Sequence, residues 1–199
     1  SYRNAIASDD YILVRPGCHI TAETSAGSSI KANDGVTING GRLNLQTTYA
    51  GGKAINCENH ITINGGRIIG ITTGNTRVET VEITPETPLG VDTTSCAAIK
   101  CDSTFTMTGG TLRVKSTGEG GKGIRVGQDA VIDGGTLDVV TTGAKTLASP
   151  KGFKANGDIT VNHGNIYIYS SHSTPLEADG YIAISQYKKL KKYLVEIGY

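Results

Sequence analysis

A chain of 199 residues is long enough for one domain with a sizeable core. Its 19 Lys and Arg against 18 Asp and Glu leave no overall charge field of the kind that marks a nucleic-acid or membrane-surface binder. The 37% apolar content contains no run long enough for a transmembrane helix, so neither nucleic-acid binding nor membrane insertion is expected. Twenty-seven glycines and no tryptophan call for either turns or disorder, and the repeat along the chain decides for turns.

The chain opens with a loosely patterned coil, Ile6 followed by Tyr11 to Val14. Five segments then align without gaps when Ile30, Ile55, Ile99, Ile124 and Phe153 share a column. Beyond that anchor lies an alternating run: Val36/Ile38, Ile61/Ile63, Phe105/Met107, Ala130/Ile132 and Ile159/Val161. Period two means strand. Each run ends at a corner, Asn39-Gly40-Gly41, Asn64-Gly65-Gly66, Thr108-Gly109-Gly110, Asp133-Gly134-Gly135 or Asn162-His163-Gly164. Gly, and less readily Asn or Asp, supplies the positive φ that such a corner needs. Alternation resumes in Leu43/Leu45, Ile68/Gly70, Leu112/Val114, Leu137/Val139 and Ile166/Ile168. A last, less regular coil follows at Leu176 and Tyr181 to Ile184.

The anchors are 25, 44, 25 and 29 residues apart, so the second interval is one coil plus an insertion of 19 residues near 75–94. The pattern predicts an all-β, single-stranded right-handed parallel β-helix of about seven coils over residues 1–184. Strands too short to be stable alone gain stability there by pairing and by stacking their apolar columns. After Ser185, Leu190, Leu194 and Ile197 recur at helical spacing among lysines, which predicts a short capping helix or tail over residues 185–199. The Asn39, Asn64, Thr108, Asp133, Asn162 column predicts a structural ladder of side chains bonded coil to coil.

Cys57 and Cys101 share an inward column, close enough for a disulfide and equally suited to a pair of buried thiols, the reading we favour. No CxxC or Cys/His cluster of zinc type occurs.

The residue after each anchor points outward, and that column reads Lys31, Asn56, Lys100, Arg125, Lys154. Two before the anchor stand Lys53, Lys122 and Lys151, so a basic strip is expected along one side of the prism, suited to a linear polyanion. At the next corner Asp34, Glu58, Asp102, Asp129 and Asp158 recur, and Asp102, Asp129 and Asp158 are the candidates for holding Ca2+. Simple pairing of these acids with adjacent lysines is the alternative. Tyr167 and Tyr169 face outward together and suit a sugar ring. The insertion carries Glu79, Glu82, Glu86 and Asp92 with Pro85 and Pro88, and long solenoid loops often border a site. No catalytic constellation stands out. A lyase that abstracts the proton beside a uronate carboxylate would find its base in Lys100 near Asp102, or Arg125 near Asp129.

The segments GKAINCENHITINGG, GKGIRVGQDAVIDGG and KGFKANGDITVNHG resemble the carbohydrate-binding β-helix domains of bacterial extracellular proteins, whose founding clostridial member binds cellulose and acidic sugars. The likeness covers about residues 28 to 184. It implies a pectate-lyase-like fold, bound calcium and a secreted or cell-surface glycan binder. The expectation is therefore noncatalytic binding of an acidic plant-type or cell-wall polysaccharide, with other domains of a larger surface protein as further expected partners. A calcium-dependent polysaccharide lyase and a structural spacer are the alternatives.

Overall fold

The computed structural model describes residues 3–81, 90–185 and 190–192. All but two of its strands fall into three parallel seven-stranded sheets, and each of seven coils gives one strand to each sheet. Sheet A contains Ile6–Ser8, Ile30–Ala32, Lys53–Cys57, Ala97–Cys101, Lys122–Val126, Lys151–Ala155 and Leu176–Ala178. Sheet B contains Tyr11–Val14, Gly35–Ile38, His60–Ile63, Phe105–Met107, Ala130–Ile132, Ile159–Val161 and Ile182–Ile184. Sheet C contains His19–Thr24, Arg42–Thr47, Arg67–Thr72, Thr111–Ser116, Thr136–Thr141, Asn165–Ser170 and Leu190–Lys192. The anchor column is confirmed in register, running through Ile6, Ile30, Ile55, Ile99, Ile124, Phe153 and Leu176.

One continuous apolar interior holds these coils together. Ile30, Ile55, Ile99, Ile124 and Phe153 are fully buried, as are Ile61, Phe105 and Met107 of sheet B and Leu43, Ile68, Leu112 and Leu137 of sheet C. Phe105 and Phe153 meet edge to face at 6.0 Å between centroids, a favoured aromatic geometry. Cys57 and Cys101 are register partners on sheet A, and both are free thiols. Burial raises both thiols, Cys101 to about 12, so neither is a ready nucleophile.

The corner between sheets B and C explains its glycines. Gly110 has φ 82°, and a Cβ there would lie 2.7 Å from the backbone carbon of Gly65 in the coil below. Beside it the expected polar ladder forms: Asn64 Nδ2 donates to Asn39 Oδ1 at 2.8 Å, and Thr108 Oγ1 to Asn64 Oδ1 at 2.8 Å. Asn162 Nδ2 continues it to Asp133 Oδ1 at 2.5 Å.

Length varies at one corner. From the anchor of sheet A to its counterpart in sheet B the count is six residues in every coil, Ile30 to Val36 or Phe153 to Ile159 for example. All the variation in the five regular coils falls between the end of sheet C and the next strand of sheet A. The insertion lies there, as an antiparallel hairpin of Arg77–Val81 and Gly90–Thr94. Glu82, Pro85, Glu86 and Pro88 lie outside the described residues.

The capping helix needs correction. Leu190–Lys192 is a strand, paired in parallel with Asn165–Ser170 through Ile166↔Leu190 and Ile168↔Lys192. The open edge of sheet C offers backbone partners to an arriving chain, and tertiary pairing overrides the helical spacing of the leucines. The rest of that segment, residues 186–189 and 193–199, lies outside the described residues.

Candidate functional site

Sheet A owes its outer face to a stacked kink. In the third coil Ala54 and Ile55 are both fully buried, and the ladder to the next coil pairs Lys53↔Ala97 and Ile55↔Ile99 while passing over Ala54. The skipped positions are Ala54, Ala98, Gly123 and Gly152. They must be small because they face the core beside a second inward residue. A Cβ on Gly123 would sit 2.2 Å from Val139 Cγ1. With two consecutive residues turned inward, the residues flanking them both emerge on the outer face. Two parallel columns flank the inward pair, Lys53, Ala97, Lys122, Lys151, of which Lys53 and Ala97 are themselves buried, and Lys31, Asn56, Lys100, Arg125, Lys154, Glu177, with rungs roughly 4.8 Å apart.

The expected cations therefore do share one surface, but their electrostatic states differ. Lys31 Nζ lies 2.9 Å from Glu58 Oε1, and Lys100 Nζ lies 2.6 Å from Asp102 Oδ2. At the C-terminal end Lys151 and Lys154 share Glu177, with Lys154 Nζ at 3.1 Å from its Oε1, and Lys154 also pairs with Asp179. The hydrogen bond from Lys154 to Asp179 raises the lysine, and the one from Lys151 lowers Glu177, so this end is a closed charge network.

In the middle of the strip Lys53 Nζ donates to the Gly51 carbonyl at 2.5 Å, and Lys122 Nζ to Ser95 Oγ at 2.8 Å. Among the described residues no carboxylate pairs with Lys53, Lys122 or Arg125. Burial first, and then the neighbouring charge of Lys100, lowers Lys53 to about 8. Burial and then Arg125 lower Lys122 to about 8. Cations without a paired carboxylate, whose charged form burial disfavours, gain from an arriving anion.

The inserted hairpin adds a wall to this strip. It encloses a concavity of about 250 Å3 lined by Lys31, Tyr49, Lys53, Asn56, Arg77 and Glu79, among others. Arg77 pairs with Glu79, donates to the Tyr49 hydroxyl at 2.5 Å and lies 5.5 Å from that ring's centroid. Asn56 Oδ1, another lining group, is buried with no hydrogen-bond partner among the described residues. A buried acceptor without a donor is costly, and a ligand hydroxyl reaching it would remove that cost. Tyr49 and Arg77 were not singled out from the sequence, because nothing in the repeat shows where the hairpin folds. Asn56 carried a signal, as the one uncharged residue in a column of cations.

The metal candidates are not brought together. Asp102 is engaged by Lys100, Asp129 Oδ1 accepts the amide of Asp158 at 2.8 Å, and Asp158 Oδ1 accepts the amide of Tyr181 at 2.9 Å. Asp129 and Asp158 each tie their own coil to the next, while Asp102 pairs within its own coil, and no cluster of three or more His, Cys, Asp or Glu suited to a metal occurs among the described residues.

Tyr167 and Tyr169 do lie together, partly exposed on the outer face of sheet C. That is a different sheet from the strip, so the aromatic pair and the cations form two surfaces and not one.

Comparison with curated proteins and with solved structures finds no match for this chain. A family model does match it, over residues 1–188, and on that basis the chain belongs to the family of carbohydrate-binding domain-containing proteins.

Proposed function

We propose that the protein binds an acidic polysaccharide along the strip on sheet A, without chemistry, with the hairpin concavity as its most selective point. Family membership supports carbohydrate as the ligand. The observation that carries the acidic preference is the trio Lys53, Lys122 and Arg125, which faces one surface with no carboxylate partner among the described residues. A uronate-type chain lying across the rungs would bring carboxylates to Arg125 and Lys122, with bidentate geometry open to the guanidinium. In the concavity a sugar hydroxyl would donate to Asn56 Oδ1 while Lys53 meets a carboxylate. Such polymers are too large to enter cells intact, so this reading places the domain on a secreted or cell-surface protein.

Affinity electrophoresis in gels containing polygalacturonate tests the reading, run with calcium and with chelator. The wild type should be retarded, and Lys122→Ala/Arg125→Ala should lose roughly ten- to a hundredfold in affinity, the scale of two charge-assisted contacts. No retardation by any acidic glycan would sink it. Release of unsaturated product during the run would replace binding with a lyase, and loss of binding in chelator would bring calcium into the site.

A further inference from the structure

We propose that the outer face of sheet C docks a second copy of this chain, giving a two-fold dimer whose solenoids run antiparallel. That face is ordered in columns. One reads Asn44, Ile69, Arg113, Asp138, Tyr167, and its neighbour reads Gln46, Ile71, Lys115, Val140, Tyr169, each residue the register partner of the next with no slip between coils. Two isoleucines therefore stand on one side of a charged centre and two tyrosines on the other. At that centre Arg113 Nε lies 3.7 Å from Asp138 Oδ2, with the side chains 52% and 39% exposed, so the pair is loosely made and open to further partners.

Opposite charges on adjacent rungs select one way of docking. A two-fold axis lying along the strands, midway between the Arg113 and Asp138 rungs, keeps the columns and reverses the order of the rungs. Arg113 then faces Asp138 of the second copy, and Asp138 faces its Arg113, which closes four charges of alternating sign. The same operation sets Ile69 against Tyr167 and Ile71 against Tyr169, each contact occurring twice. An axis along the solenoid would instead oppose Arg113 to Arg113 or to Lys115, and like charges disfavour it.

Shape agrees with charge. Arg113, Asp138, Val140, Tyr167 and Tyr169 line a concavity of about 510 Å3, and docking brings Ile69 and Ile71 of the second copy over it. Face-to-face packing of aligned strands is an ordinary arrangement for two sheets. Rungs roughly 4.8 Å apart and strands roughly 20 Å long give a footprint on the order of 500 Å2 per partner, which is a small interface with a dissociation constant in the micromolar range. Sheet A shares no strand with this face, so the dimer leaves both cationic strips open and does not rest on what they bind.

Sedimentation equilibrium on the full chain tests the dimer, at concentrations from about 1 µM to about 1 mM. The wild type should pass from monomer to dimer within that range. Arg113→Asp and Asp138→Arg should each weaken self-association at least about tenfold, because like charges then face one another across the axis. Mixed in equal amounts, these two variants should pair with each other, and Arg113→Asp/Asp138→Arg should regain the wild-type dimer. Should a charge reversal fail to fold by circular dichroism, Ile71→Ser keeps every charge and should still weaken the dimer about tenfold. A wild type monomeric throughout, single reversals that dimerise like the wild type, or a mixture that stays monomeric would overturn the proposal. A soluble glycan seated on Tyr167 and Tyr169 of a monomeric wild type would give the face to sugar and overturn it as well.

Discussion

The C-terminal end and the middle of the strip on sheet A use the same residue type to opposite effect. Toward the C-terminus Lys151 and Lys154 close on Glu177 and Asp179 and present little net charge. In the middle Lys53 and Lys122 are buried deeply enough to be lowered to about 8, and with Arg125 they remain without a carboxylate among the described residues. A column of lysines is therefore not a uniform surface. Its binding capacity depends on whether the next coil supplies an acid, and the last coil does so through Glu177, the register partner of Lys154.

The largest effect should come from the scaffold that both regions share. Phe153 is fully buried beneath Lys154 and packs on Phe105, so Phe153→Ala should cost about 3–5 kcal/mol. Chemical denaturation would show it, and a loss below about 1 kcal/mol would mean the C-terminal coils contribute little to cooperative folding. The next effect is a pH dependence confined to the middle of the strip. Lys53 and Lys122 lose their protons near pH 8 when folded but near 10.4 when unfolded. Between those values the unfolded chain holds more protons, so stability should rise with pH across this window. Polygalacturonate affinity should fall over the same range as the lysines neutralise. Replacing both with Met should flatten the two trends, and parallel movement of binding and stability would show that other groups control them. The smallest effect belongs to the closed end: Lys151→Ala/Lys154→Ala should change acidic-glycan affinity less than about threefold, because those cations are already paired. A loss as large as that of Lys122→Ala/Arg125→Ala would erase the distinction between the middle and the closed end.

Much of this architecture was legible in the chain because a solenoid repeats its constraints. Period-two apolar columns and Gly-Gly corners placed every central strand, and the anchor column proved to be a register column. The position of the insertion followed from one interval being too long. Side-chain partners were harder to see. Alternation alone would turn Lys53 and Ile55 to the same side, and only the kink at Ala54, which puts both Ala54 and Ile55 in the core, turns Lys53 toward the outer face. The carboxylates that recur at the next corner looked like candidates for a metal, yet Asp129 and Asp158 cap amides of the following coil. That is a backbone demand with no sequence signature. Tyr167 and Tyr169 were recognised as an outward pair, but their distance from the cations is a matter of which sheet each strand joins. For Leu190 the helical spacing misled, since an open sheet edge competes for the same backbone groups.

The confinement of length variation to the passage from sheet C to sheet A gives the molecule a single editable margin. The other two corners are locked, one by a fixed six-residue count and the other by glycines whose Cβ would strike the coil below. Segments inserted at the open margin emerge beside the cationic strip, as the Arg77–Val81 hairpin does, without shifting any rung of the ladder. Recognition can thus be rewritten while the scaffold stays invariant, much as loops graft new specificities onto a fixed framework. Loop exchange between Thr141 and Lys151, or between Ser116 and Lys122, is the natural route to retargeting this domain.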